Sequence, residues 1–420
     1  MTVETSRLGA RAAERCRELS RPPYSEAADN LTRCFLTPAH RATIDRISGW
    51  MREAGMEMRL DEAGSLTGRI GTPGAPALVF GSHVDSVRDA GAYDGMLGVL
   101  LGLACVEGLK GKKLPFAIEV VGFGDEEGSR FQASMNGSRA FAGRLDASAA
   151  LEAKDREGGT LRDALSVFGL KPEKIAEAKR EPGSVLAFVE PHIEQGPVLE
   201  AAHKALGIVT SIAGQWRLKV RFTGQAGHAG TSPMHLRADA MAAAAEAVLA
   251  VERIATEGPP DLVATVGQMS VKPGAPNVIP GLAEFTVDVR AGTDPVRDAG
   301  LAQIEAAIAE VSLQRNVKSE IERVQNLPAT KMDERLADML KRAAHRVGHT
   351  APEMVSGAGH DAMMIAGIAP TAMLFIRCAG GVSHNPAESV TDEDCDAAHA
   401  ALMAFINLLA AEHGTAEQQA

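Results

Sequence analysis

Two textures of apolar and polar positions alternate along the chain. Ala77 to Phe80, Phe116 to Phe123, Val185 to Val189 and Thr371 to Ile376 are short, nearly unbroken apolar runs, as expected of strands buried on both faces. Helical patterns lie between them at 96–109 and 160–168, and helices near 332–346 and 392–411 flank the last run. Residues 1–60 read as helical, with one helix that starts at Thr37-Pro38, repeats through Ile44, Ile47 and Met51, and stops near Gly55. Such alternation predicts an α/β fold: a mixed, mostly parallel sheet flanked by helices.

Around Gly207 the pattern changes. Leu218 to Phe222 and Phe285 to Val289 alternate apolar with polar residues, as half-buried antiparallel strands do. An alanine-rich helix near 236–255 lies between them and a second helix near 295–311 follows. This reads as a smaller α+β domain at 212–328 inserted into a first domain made of 1–211 and 329–420. Gly207 and Gly214 flank the expected hinge. The tail from Glu412 to Ala420 reads as disordered.

Composition narrows the functional classes. The chain has 420 residues, 45% hydrophobic and 23% charged, enough for two domains with real cores. A formal charge of -11 argues against a nucleic-acid surface and favours small-molecule chemistry. Five cysteines, Cys16, Cys34, Cys105, Cys378 and Cys395, are widely spaced and form no Cys-X-X-Cys pair, which points to a reducing cytoplasm. The N-terminal residues lack a secretory pattern, and no unbroken apolar run approaches the ~18 residues of a spanning helix, so no membrane role is expected.

The chemistry gathers where the apolar runs end. His83 and Asp85 follow the first, with Asp94 nine positions beyond Asp85; Glu126 and Glu127 follow the second; His192 follows the third; His384 follows the fourth. Taken singly, a His-X-Asp is usually structural, two adjacent glutamates a solvated loop, and a lone histidine a satisfied core residue. Taken together, four strands each delivering a histidine or carboxylate at the C-terminal edge make a metal site the better reading. His83, Asp94, Glu127, His192 and His384 provide five ligands with one carboxylate to bridge, which suits two divalent ions ~3.5 to 4 Å apart. Manganese or zinc fits such a donor set, and cobalt or nickel is possible.

Eight collinear stretches then resemble a known family. Gly81-Ser-His-Val-Asp85, Asp94-Gly95, Asp125-Glu-Glu-Gly-Ser-Arg-Phe131, His192-Ile-Glu-Gln-Gly-Pro197, Gly227-His-Ala-Gly-Thr-Ser-Pro-Met234, Pro276-Asn-Val-Ile-Pro-Gly281, Ser356-Gly-Ala-Gly-His-Asp-Ala362 and Ser383-His-Asn-Pro386 are similar to the carbamoylase and allantoate amidohydrolase branch of the di-metal aminoacylase/carboxypeptidase superfamily. The resemblance runs from about residue 30 to 410 and implies a di-metal aminopeptidase/carboxypeptidase-like catalytic domain whose insertion is a lid and dimerisation domain. It departs at Ser65, where asparagine is expected, and at Arg377-Cys378, where many carbamoylases carry Pro-Ser; neither position is a proposed ligand. Met373 to Cys378, Arg33 to His40 and Gly49 to Gly55 look more like allantoate amidohydrolases.

Residue roles follow from that resemblance alone. His83 and His192 hold one metal each, completed by His384 and Glu127, with Asp94 as bridge; which histidine shares a metal with which acid stays open. Asp85 hydrogen-bonds His83, and Glu126 is the general base. His228 donates to the oxyanion, from this chain or its partner; Asn277 and Arg290 bind the substrate carboxylate; Gln195 and His360 contact the ureido group. The expected activity is metal-dependent hydrolysis of the N-carbamoyl (ureido) group of a small carboxylate by a cytoplasmic homodimer. Allantoate is the first substrate, giving ureidoglycine, ammonia and carbon dioxide, and an N-carbamoyl-L-amino acid or N-carbamoyl-β-amino acid is the alternative. A non-catalytic binding relative stands against this, and the filled positions of all five ligands and of Glu126 weigh against it.

Overall fold

A computed structural model gives the structure of the chain and describes residues 7–131 and 133–417, with the side chains of 414–417 excepted. Its strands are β1 (Glu57–Leu60), β2 (Leu66–Ile70), β3 (Ala77–His83), β4 (Ala117–Phe123), β5 (Val185–Ile193), β6 (Leu206–Ile212), β7 (Gly214–Thr223), β8 (Gly227–His228), β9 (Val263–Lys272), β10 (Val278–Ile279), β11 (Leu282–Ala291), β12 (Lys318–Leu327), β13 (Thr330–Lys331), β14 (Glu353–Ser356) and β15 (Thr371–Ile376). Its helices are α1 (Leu8–Leu19), α2 (Pro38–Glu53), α3 (Met96–Leu109), α4 (Asn136–Phe141), α5 (Ala147–Leu151), α6 (Leu161–Val167), α7 (Val198–Ala201), α8 (Ala240–Glu257), α9 (Asp294–Gln314), α10 (Glu334–Arg346), α11 (Ala362–Ile365) and α12 (Asp392–Glu417). Two compact units emerge: Met1–Thr210 with Met332–Met354 and Gly359–Ala420, and Ser211–Lys331 with Val355–Ala358.

In the first unit the sheet order is β1-β2-β4-β3-β5-β15-β6. The four central strands β4, β3, β5 and β15 run parallel, and the flanking strands β2 and β6 pair antiparallel to their neighbours. Parallel central strands place every C-terminal end on one edge, which is where His83, Phe123, Ile193 and Ile376 terminate. Helix α3 is buried from Met96 to Val106, and Leu97, Leu100 and Leu103 join Phe80, Val120 and Val189 in one core with α1, α10 and α12. Each fully buried leucine of this kind contributes about 1.5–3 kcal/mol. The start of α2 follows from its residues: the Thr37 hydroxyl accepts the His40 N–H, and Pro38 occupies the first turn.

Two readings of the sequence are corrected. Residues 57–60, taken as helical, are the strand β1, which pairs antiparallel with β2. The tail is helix as far as Glu417, with only 418–420 outside the described residues. Helix α12 is long and apolar enough, by length and composition, to cross a membrane, although its sequence has no unbroken apolar run. Cys395, Ala398, Leu402, Phe405 and Leu409 are buried, which identifies it as a core helix. Of the stretch read for lack of a secretory pattern, Met1 to Arg7, residues 1–6 lie outside the described residues.

The second unit is built on an antiparallel sheet, β12-β7-β11-β9. Strands β7 and β11 alternate: Leu218, Val220 and Phe222 and Ala283, Phe285, Val287 and Val289 face a core closed by Ala243, Ala244 and Ala247 of α8 and Ile304 and Ile308 of α9. Helix α8 begins four residues later than its alanine pattern suggests, because the Asp239 carboxylate caps Met241 and Ala242. Strands β8 and β10 form a separate two-stranded ribbon.

Candidate metal centre

Strand β3 ends on His83, and the loop after it carries Asp94 to the start of α3. His83 Nδ1 lies 2.9 Å from the carbonyl of Asp85, and His192 Nδ1 lies 2.9 Å from that of Ile193. A carbonyl only accepts, so both rings carry the proton on Nδ1 and present Nε2 as a lone-pair donor. Those two nitrogens converge on one oxygen, Asp94 Oδ1, at 3.6 Å from His83 and 3.2 Å from His192. The other oxygen, Oδ2, lies 3.2 Å from His384 Nε2, which is itself 3.5 Å from Glu127 Oε1. One carboxylate thus faces two groups: His83 with His192, and Glu127 with His384. In each the donor atoms lie within 4.8 Å of one another. This pairs the histidines differently from the expectation that His83 and His192 hold one metal each, because both rings point at the same Asp94 oxygen.

The donor set fits divalent ions on a further observation. Asp94 Oδ1, Glu127 Oε1 and His192 Nε2 are buried with no hydrogen-bond partner. Two acceptors 3.2 Å apart cannot satisfy each other, whereas a cation between them satisfies both. Gly95 makes room for this convergence: at φ +67° its Cβ would stand 2.4 Å from His83 Nδ1.

Asp85 hydrogen-bonds His83 as expected, but through its backbone. Its carbonyl, not its carboxylate, meets His83; the carboxylate accepts the backbone N–H of Glu126 at 3.1 Å and of Glu127 at 3.2 Å. Asp85 therefore holds the adjacent glutamates by their backbone. The turn that presents them pivots on Asp125, in the left-handed region at φ +61°. Asn136 Nδ2 donates to the Asp125 carboxylate at 2.6 Å, and the N–H groups of Met135, Asn136 and Gly137 donate to the carbonyls of Glu126, Asp125 and Gly124. Glu127 then faces His384, while Glu126 Oε2 stays 4.0 Å from His83 Nε2.

Electrostatics follow from this crowding. Burial, reinforced by Glu127, Asp361 and Asp85, raises Glu126 well above the usual carboxylate range despite His83. Burial and Asp94 likewise push Glu127 up to about 7. Burial disfavours a charged His83, yet Asp94, Glu126 and Asp85 outweigh it and raise its pKa. For Asp94, burial is outweighed by the imidazoles of His192, His384 and His83 that crowd its two oxygens, and its carboxyl is held well below the usual range. His384 is raised to about 9, chiefly by Asp94.

Among the expected substrate residues, Gln195 and His360 join the centre. Gln195 Nε2 donates to Asp94 Oδ2 and to Ser383 Oγ, each at 3.1 Å. The buried His360 ring packs edge-on against His192, centroids 4.4 Å apart. In the second unit, the ribbon brings His228 opposite Val278, and Ala229 N–H donates to the Asn277 carbonyl, so His228 and Asn277 are neighbours. His228 is exposed, and its Nδ1 accepts the Gly230 N–H at 3.1 Å. Arg290 makes a two-pronged bond to Asp288, at 2.7 and 3.2 Å, and donates to the Gly357 carbonyl. Residue patterns gave no role to Asn136, Ser383 or Glu190, whose carboxylate accepts Ser82 Oγ at 3.0 Å and Ala362 N–H at 2.8 Å. Glu190 and Ser383 meet groups more than a hundred residues away, and Asn136 meets Asp125 only across a turn, so no local spacing announces them.

The family model of peptidase family M20/M25/M40 matches residues 79–408. The chain belongs to this family. M20 enzymes are metal-dependent, in keeping with the donor set above. Among relatives, an allantoate deiminase of Arabidopsis thaliana is 40% identical, covering 94% of this chain and 81% of its own. An N-carbamoyl-L-amino acid amidohydrolase of Geobacillus stearothermophilus is 43% identical, covering 88% of this chain and 91% of its own. A solved hydantoinase/carbamoylase family amidase from Burkholderia multivorans superposes on 95% of this M20 chain and 97% of its own, with a TM-score of 0.87 at 35% identity.

Proposed function

We propose that this chain is a metal-dependent amidohydrolase that cleaves the ureido group of a small carboxylate, with allantoate as first substrate. The observation that carries the reading is Asp94, whose Oδ1 faces His83 and His192 and whose Oδ2 faces His384 beside Glu127, with Glu126 Oε2 4.0 Å from His83 Nε2. His83, Asp94 and His192 would hold one divalent ion, and Asp94, Glu127 and His384 the other, in manganese, zinc, cobalt or nickel form. When bound, such ions polarise the substrate carbonyl and make water acidic enough to attack at neutral pH.

The chain's own groups complete the reaction. Glu126 accepts a proton from water as its oxygen bonds to the carbamoyl carbon, then delivers it to the nitrogen on the substrate side as that C–N bond breaks. The carbamate released falls to ammonia and carbon dioxide, leaving ureidoglycine from allantoate. Burial raises the pKa of Glu126, so its carboxylate is a stronger base than an exposed one. Asp85 holds Glu126 and Glu127 in place through their N–H groups. Gln195 and His360 contact the ureido group, His228 donates to the developing oxyanion, and Arg290 with Asn277 takes the carboxylate, for which a guanidinium fork is matched.

The allantoate deiminase relatives support that substrate, and the carbamoyl amino acid amidohydrolase relatives support the alternative. A homodimer through the second unit belongs to the same reading, supported by Met234, Leu236 and Leu313, large apolar side chains exposed on that unit. Free buried cysteines support a cytoplasmic setting. Ammonia release from allantoate and from N-carbamoyl-L-amino acids, side by side, by apo-protein reloaded with manganese or zinc tests the proposal. Metal-dependent release from allantoate in preference is the expected result; release from a carbamoyl amino acid instead moves the substrate assignment, and silence on both contradicts the reading.

A further inference from the structure

The loop after β15 carries His384 and the loop after β3 carries Asp94, and one side chain ties the two together. Glu388 is 5% exposed. Its Oε1 accepts the N–H of Tyr93 at 2.8 Å and of Asp94 at 3.1 Å, and its Oε2 lies 3.2 Å from Ser383 Oγ. That same hydroxyl lies 3.3 Å from Asp94 Oδ2 and receives Gln195 Nε2 at 3.1 Å. Glu388 therefore grips the backbone of Asp94 and, through Ser383, touches its carboxylate as well. Gly91 belongs to the arrangement: a Cβ there would stand 2.2 Å from Glu388 Cβ and 2.5 Å from its Oε1, so a larger residue would displace the glutamate. Among the described residues, none of the groups of converging donor atoms includes Glu388.

We propose that Glu388 is a positioning residue that fixes the bridging Asp94 carboxylate against His384, so that both ion sites are formed before any ion arrives. The inference rests on the metal-centre reading above. Its distinguishing consequence is that one residue outside both ligand sets governs both sites, because a shift of the Asp94 backbone moves Oδ1 and Oδ2 together.

The test is titration of the apo-protein with Co²⁺, followed by calorimetry and by the visible absorption of the bound ion, for wild type, Glu388→Ala, Glu388→Gln and Gly91→Ala. Thermal unfolding of each apo form reports whether the fold is kept. Glu388→Ala and Gly91→Ala should weaken both sites by about 10- to 100-fold and alter the cobalt spectrum, as losing a residue that orients ligands does. Glu388→Gln should stay close to wild type: its amide oxygen still accepts the two N–H groups, and its Nε2 donates to Ser383, freeing that hydroxyl's proton for Asp94. Should the alanine variant not fold, Glu388→Asp carries the same expectation, because it keeps the charge and loses the reach. Wild-type cobalt affinity and spectrum in the folded alanine and aspartate variants overturns the role of Glu388 alone. Failure of the wild type to take up two ions overturns the metal-centre reading itself.

Discussion

His83 and His192 owe their donor roles to carbonyls two residues and one residue further along, which fix the proton on Nδ1 and leave Nε2 for the centre. These candidate ligands were legible in the sequence because each sits in a short polar stretch at the end of an apolar run. Asp85 was legible as a neighbour of His83 but not in its task, since its carboxylate bonds Glu126 and Glu127 some forty residues away. Glu388 and Asn136 were harder still, being defined by what they touch. Arg290 stands at the boundary, because its fork already pairs with Asp288 and a substrate carboxylate would have to share or replace that partner. Arg290→Ala should raise KM for allantoate by about 10- to 100-fold with a smaller effect on kcat, the value of a charged two-pronged hydrogen bond. Steady-state kinetics check this, and an unchanged KM means that the carboxylate binds elsewhere.

Among elements, β3, β4, β5 and β15 were readable because burial on both faces leaves an unbroken apolar run. Strands β9 and β12 gave no such signal, since neither presents a consistently buried face, and the pairing of β11 with β9 shifts between Phe285 and Val287. The junction of β3 with α3 makes one sharp prediction. Gly95→Ala drives a methyl group into the His83 ring at a backbone angle that favours glycine, so the variant should lose at least about tenfold in Co²⁺ affinity. Calorimetry reads the loss directly; unchanged affinity would show that the ring has room to move.

Helix α2 carries a second prediction. His40 is buried in its first turn between the Phe35 and Phe168 rings, and Nδ1 accepts the Leu36 N–H at 3.2 Å. Burial first, then the Arg33 and Arg41 charges, push its pKa down from 6.5 to about 3. Between those values the unfolded chain binds a proton that the folded chain refuses, so this stability is present above pH 6.5 and is lost as pH falls toward 3. By linkage the loss from pH 7 to pH 5 is about 2 kcal/mol. Urea unfolding at the two pH values should show His40→Gln losing less than wild type by that amount, and equal losses would contradict a neutral buried imidazole.

At the scale of the whole molecule, the two textures of the sequence correspond to two ways of burying apolar surface. A sheet covered on both faces needs continuous apolar strands, and an antiparallel sheet covered on one face needs alternating ones; β3 and β7 show the contrast directly. That much follows from periodicity. Family membership came from motif order along most of the chain. The grouping of the candidate ligands around Asp94 came from geometry, because only folding brings residues 83, 94, 127, 192 and 384 together.

The central claim is that Glu126 moves protons beside two bound ions that other residues hold. The most direct measurement is metal content and ammonia release from allantoate, taken together, for wild type and Glu126→Gln. The variant should keep two ions per chain while its turnover falls by about 10²- to 10⁴-fold, because an amide in place of the carboxylate cannot take the proton. Wild-type turnover in a fully loaded Glu126→Gln would contradict the account.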